Sequence, residues 1–408
     1  MYQLLQTGKE RQMKRLQELF REESGYKMFL ISVLVTGLGY GLYKGMIDNY
    51  LAEIVSMGEF DRGVAEFFRE VPGLLLVLIL AVFYMYTAEA LYKAGAVIML
   101  IGIAMLPVFP PSKILVTLAI CVHSLGEHIQ LGMKNTLTLE YARPGKGGEA
   151  LGQQNAFSHI GTLAGYVFVI LLFTFFGAGK PYKPFFALTA GFLFIALIFA
   201  LRIQGQSVTD RTGGRFHFAR KFKKYYMLEV FYGARKQVFL TFGPYVLILF
   251  YGADARTISI LFAVSAVCCY FCAPLVGKII DRFGYKIVMI SDTLILVIVC
   301  FFYGFAHHLF SMHTAFIICC VNYILDSVIS LASMASNVYV QDLSDDPEEM
   351  KTTISTGVSV NHMITLLIAL FGGWIWHALG IETLFILSAI LGLCNSAYAA
   401  TIRTVKRA

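Results

Sequence analysis

The sequence predicts an all-α polytopic membrane protein, with twelve transmembrane helices arranged as two pseudo-symmetric six-helix bundles. Three observations predict this. The 408 residues are 57% hydrophobic with a mean hydropathy of +0.68, and only 14% are charged, well below the quarter typical of soluble domains. Continuous apolar blocks of about 20 residues recur along the chain, the length a helix needs to cross a bilayer; barrel strands would alternate over shorter segments. Polar residues set inside the blocks of the first half return, in the same order, in the second half.

Residues 1–27 read as a cytoplasmic or interfacial amphipathic helix. Leu5, Met13, Leu16, Leu19 and Phe20 recur near helical spacing, with Lys9, Arg11, Lys14, Arg15 and Arg21 between them, as in segments that lie on a membrane surface. Apolar segments near 28–54, 62–85, 95–110, 113–138, 151–177 and 182–203 make an N-terminal six-helix bundle over 28–203. The longest polar stretch comes next, and 204–225 reads as a cytoplasmic linker. Segments near 226–252, 256–280, 286–307, 313–338, 353–378 and 381–402 make a C-terminal six-helix bundle over 226–405.

Of the 33 Lys and Arg residues, 23 fall in the termini, the linker and the loops on their side, and five in the loops opposite. That bias puts both termini in the cytoplasm of a plasma (inner) membrane. It also accounts for the net charge of +7 without nucleic acid as a partner. The eight cysteines lie in apolar runs, so no disulfide framework is implied. Cys268, Cys269 and Cys272 share one helix without a nearby histidine, which suits small apolar packing better than metal binding. No cofactor and no metal ion are expected.

The repeat is carried by three pairs. Tyr40-Gly41-x-x-Lys44 in helix 1 matches Tyr232-Gly233-x-x-Lys236 in helix 7, an offset of 192. Cys121-Val122-His123-x-x-x-Glu127 in helix 4 matches Cys320-Val321-Asn322-x-x-x-Asp326 in helix 10, an offset of 199. His159-x-x-Thr162 in helix 5 matches His362-x-x-Thr365 in helix 11, an offset of 203. Each match joins helix n to helix n+6, and unequal loops explain the slow drift.

Between helices 8 and 9 runs Gly277-Lys-Ile-Ile-Asp281-Arg282-Phe-Gly284-Tyr285-Lys286. This resembles the signature loop of the major facilitator superfamily, G-x-x-x-D-R-x-G-[RK]-[RK], with Tyr285 in place of one basic residue. The resemblance implies a gating loop in which Asp281 braces helix ends while Arg282 and Lys286 meet carbonyls or acids. The corresponding place in the first half keeps only Glu89 and Lys93 of those charges. In helix 5, Gly161 and Gly165 have G-x-x-x-G spacing, but Tyr166 follows where proton-antiporting drug exporters of the superfamily carry proline. The resemblance further implies that helices 1, 4, 7 and 10 line a central cavity, with 2, 5, 8 and 11 flanking it.

Charged groups at bilayer depth are costly and normally face a cavity or a partner. Here they fall in helices 1, 4, 5, 7, 10 and 11, and helices 3, 6, 8 and 12 have essentially none in mid-span. Lys44, Arg235 and Lys236 are expected to bind substrate, with Tyr40, Tyr43, Tyr232 and Tyr323 as cavity-wall aromatics. Glu127 and Asp326 are expected to carry protons, assisted by His159 and His362. Three cations against two carboxylates favour an anionic or zwitterionic ligand, which a guanidinium grips as a fork. The alternative for these charges is permanent pairing, Lys44 with Glu127 and Lys236 with Asp326.

These residues point to a monomeric secondary active transporter. It would move a small organic anion or zwitterion across the lipid bilayer by proton-coupled alternating access. No nucleophile–base pair or metal triad appears at a catalytic spacing, so an enzyme is not expected. Two readings compete: an exporter of drugs or amphiphilic lipids, and a non-transporting membrane sensor or scaffold.

Overall fold

The computed structural model describes residues 18–20, 25–83, 85–176, 179–204 and 218–402. Most of the amphipathic segment read over 1–27 and most of the linker read over 204–225 lie outside the described residues. In the first half the helices are α1 Tyr26–Glu53, α2 Glu59–Val82, α3 Ala88–Val108, α4 Lys113–Tyr141, α5 Gly147–Phe176 and α6 Tyr182–Leu201. In the second half they are α7 Lys223–Leu249, α8 Ala255–Phe283, α9 Tyr285–Leu309, α10 Met312–Leu343, α11 Pro347–Leu379 and α12 Ile381–Ala400. A 3₁₀ turn at Ser330–Ser333 interrupts α10. Ten of the twelve are long and apolar enough to cross a membrane. The other two, α2 and α7, hold the densest runs of charge, and this is an integral membrane protein of twelve-helix fold.

Helix ends follow local capping chemistry that hydropathy does not register. α3 begins at Ala88, before the apolar run, because the Thr87 side chain accepts from the Ala90 amide at 3.1 Å. α11 begins at Pro347 because Asp346 accepts from the Glu349 amide at 2.8 Å and proline suits a first turn. α4, α8 and α10 start behind Ser112, Asp254 and Ser311 in the same way. Gly284, at φ +83°, turns the chain from α8 into α9, a conformation that glycine adopts without steric cost.

The chain packs as two compact units, Met1–Gly45 with Leu75–Thr212, and Met46–Leu74 with Gly213–Ala408. In the first, α1 and α5 meet backbone to backbone. A Cβ on Gly41 would lie 2.2 Å from the Thr162 carbonyl oxygen, and one on Gly161 would lie 2.1 Å from that of Leu34. The G-x-x-x-G spacing of Gly161 and Gly165 therefore makes a helix seam, as small residues do in membranes. Gly126 seats α4 on α3 with similar closeness: a Cβ there would lie 2.4 Å from the Met99 nitrogen.

In the second unit α11 packs on α7, and α9 lies between α10 and α12. One device is built into both units. The Lys93 ammonium donates to the Ile203 carbonyl just past α6 at 2.9 Å, and the Lys286 ammonium to the Ile402 carbonyl just past α12 at 3.0 Å. The two pairs match helix n to helix n+6, as the polar repeats do.

Candidate functional site

At the middle of the second unit Arg235, on α7, is 1% exposed. Its Nη1 donates to Asp292 Oδ2 on α9 at 3.0 Å, and its guanidinium lies 5.4 Å from the Tyr232 ring centre. Asp326 on α10 is buried within electrostatic reach of Arg235 and Asp292, and makes no ion pair among the described residues. Arg235 thus stands between two acids. Its Nε and Nη2 have no hydrogen-bond partner among the described residues. Tyr232 donates to the carbonyl of Ser330 at 3.0 Å, where the 3₁₀ turn of α10 frees that acceptor. Tyr323 is buried against Gly243 and 5.9 Å from the Phe262 ring.

One helical turn earlier on α7, Glu229 is buried without an ion pair among the described residues. Its oxygens accept from Ser336 Oγ at 3.0 Å and Asn361 Nδ2 at 3.3 Å. Glu229, Tyr232, Asp292, Ser333, Ser336 and Asn395 are the polar lining of one small cavity inside this unit. Lys236 lies within electrostatic reach of Glu229 and Glu70 rather than paired with Asp326. The permanent Lys236–Asp326 bridge weighed from sequence is not formed.

Glu70 belongs to a buried polar chain that runs along α2 within the same unit. Arg62 directs Nε and Nη2 to Asp48 Oδ1, both at 3.1 Å, and Nη1 to Glu66 Oε2 at 2.8 Å. Arg69 joins Glu66 at 2.7 Å and also bonds Glu70. Gln237 Nε2 donates to Glu66 Oε1 at 3.0 Å and to Thr241 Oγ1 at 2.9 Å. His362 Nδ1 sits 2.9 Å from Glu70 Oε2, and the Thr365 hydroxyl donates to the same oxygen at 3.2 Å. The repeated His-x-x-Thr of α11 therefore holds a carboxylate. Arg62 is buried inside α2.

In the first unit Tyr40 and Lys44 are half-buried on α1. Tyr43 is buried with its ring 4.5 Å from that of His123. Glu127 is half-buried on α4, and Lys134, two turns on, lies within electrostatic reach of Glu127 and of His159. His159 is exposed on α5, so the paired histidines of the repeat occupy unlike surroundings. In the signature loop, Asp281 and Arg282 are exposed, Gly277 has open space around it, and Lys286 meets a carbonyl.

Sequence reasoning missed Glu66, Glu229 and Asp292. Glu66 had a signal: Arg62, Glu66, Arg69 and Glu70 follow helical spacing along one face. Glu229 and Asp292 have no acidic partner in the repeat, and only folding sets them beside Ser336 and Arg235. With them present, Arg235 and Lys236 face three acids, Glu229, Asp292 and Asp326. The expected local excess of positive charge is therefore absent from the C-terminal unit.

Residues 225–408 match the family model described as Major Facilitator Superfamily. No curated protein matches the chain. Among solved structures the chain is similar to the nucleoside transporter NupG at 14% identity, with a TM-score of 0.73 over 91% of this chain and 98% of that one. It is similar to the POT family transporter PepTSo at 11% identity, with a TM-score of 0.73 over 92% and 97%. It is also similar to a D-xylose-proton symporter at 13% identity, with a TM-score of 0.70 over 93% and 98%. At these identities the likeness is one of fold. Residues 225–408 thus match the major facilitator superfamily in sequence, and over its length the chain shares the fold of these solved transporters.

Proposed function

We propose that the protein is a monomeric secondary active transporter of a small zwitterion or organic anion, coupled to protons. Its bundles, 28–203 and 226–405, would alternate access across a plasma membrane, with both termini cytoplasmic. The observation that carries this reading is Arg235 between Asp292 and Asp326. One buried cation beside two buried acids leaves a place that a proton neutralises, and desolvated charge strongly favours neutrality. Asp326 is the proton carrier, and Glu127 on α4 takes the matching role in the first half. Lys236 meets the anionic group of the substrate, Lys44 takes the matching role in the first half, and the acids near Lys236 suit a ligand that also carries a cation. The fold-level neighbours include a transporter named for nucleosides and one named as a xylose-proton symporter; solute–proton coupling is thus compatible with this architecture.

The test has two arms, both on purified protein. Anions, zwitterions and lipophilic cations are screened for thermal stabilisation of wild type and Lys236→Gln. Zwitterions or anions should stabilise wild type and lose their effect in the variant. Stabilisation by lipophilic cations alone, unchanged in the variant, would overturn the substrate class. In proteoliposomes, Glu127→Gln and Asp326→Asn should lose uptake driven by a pH gradient. Undiminished dependence in both would remove them as carriers.

A further inference from the structure

We propose that His307, His308 and Glu382 form a binding site for a zinc-type divalent metal ion at one end of the C-terminal unit. His307 and His308 occupy the last turn of α9, and Glu382 the first turn of α12. The Nε2 atoms of the two imidazoles point at one carboxylate oxygen, Glu382 Oε1, at 3.3 Å and 2.8 Å. The three ligand atoms all lie within 4.8 Å of one another. A zinc ion with bonds of about 2.0–2.2 Å separates tetrahedral neighbours by roughly 3.3–3.5 Å. The His307 pair already has that spacing, and the His308 pair must open by about half an ångström. His308 can supply that movement because its side chain is 57% exposed.

The surroundings fix one ligand and leave access to the rest. His307 is 12% exposed and its ring lies 4.7 Å from that of Phe250, which holds it in place. The rings of His307 and His308 are 3.9 Å apart, so their nitrogens present side by side. Glu382 is held just after Gly380, whose φ of +89° makes the tight turn from α11 into α12. The exposed side of His308 leaves the fourth coordination position to water, as in open zinc sites. Two imidazole nitrogens with one carboxylate select a transition metal over Mg²⁺ or Ca²⁺, which prefer all-oxygen ligands. Nδ1 of His307 is buried without a hydrogen-bond partner among the described residues. The ring thus lacks the outer acceptor that strengthens metal-bound histidines, so the metal binds reversibly. Bound, it ties the end of α9 to the start of α12.

The site is independent of what the protein transports, so its test is binding. Full-length protein in detergent, freed of metal with a chelator, is titrated with Zn²⁺ by calorimetry and melted with and without the ion. One equivalent should bind and raise the melting temperature, while Mg²⁺ at the same concentration should not. His308→Ala, a change at an exposed side chain, and Glu382→Gln should each weaken Zn²⁺ binding by at least about tenfold. His377→Ala, which alters a separate exposed histidine beside Glu59, should bind as wild type does. Absence of saturable Zn²⁺ binding in wild type, or unchanged binding in His308→Ala, would overturn the proposal.

Discussion

Arg235 shows how much depends on one side chain at bilayer depth. Its ion pair with Asp292 spans α7 and α9, both partners are buried, and Asp292 is otherwise bonded, among the described residues, by the Thr293 hydroxyl at 3.3 Å and the Thr293 amide. Replacing Arg235 with glutamine strands that carboxylate, and breaking a buried pair from one side typically costs about 3–5 kcal/mol. Denaturant unfolding in micelles should register a loss of that order for Arg235→Gln. Adding Asp292→Asn should restore a large part of it, as coupled partners do. Arg235 was legible in the sequence because its depth and its place beside the repeated lysine both marked it. Asp292 was not, because a lone acid in an apolar run says nothing about which helix it faces.

Among the elements, α1 and α5 meet where glycine leaves no side chain between backbones. Gly161→Ala puts a methyl carbon 2.1 Å from the Leu34 carbonyl oxygen, so the helices must part. The expected result is a clearly lower melting temperature, and Gly152→Ala on the same helix, with open space around it, should melt as wild type. A surface contact gives the opposite scale of effect. Lys221, just before α7, donates to Asp345 and Glu349 at 2.6 Å, bracing the start of α11. These bonds hold the Glu349 carboxyl below the usual carboxylate range and raise the Lys221 ammonium. Because the folded-state value of Glu349 is depressed, its contribution is present above that range and lost as pH falls through it. Lys221→Ala should therefore lower the melting temperature slightly at neutral pH, less in high salt, and not at all near pH 2. Helices were legible as elements because their apolar runs are long. Their first turns were not, because capped polar turns such as those at Thr87 and Asp346 look like loops.

At the scale of the whole molecule, twelve helices and their two-fold repeat could be read from periodicity, charge bias and three polar pairs. The structure extends the repeat through Lys93 and Lys286, each tied to a carbonyl beyond the sixth helix of its half. The polar chain of α2 could not be read the same way, because its partners lie far along the chain. Glu66 meets Gln237 171 residues on, and Glu70 meets His362 292 residues on. Those separations carry a consequence for how the protein is made. α2 enters the bilayer long before the groups that complete its acids exist, and at about 5–20 residues per second the wait for His362 is roughly 15–60 s. During that interval the nascent chain carries buried acids whose final partners have not been synthesised. A chain stopped before α11 should be degraded faster in cells than one stopped after it, and a pulse-chase of the two truncations measures the difference.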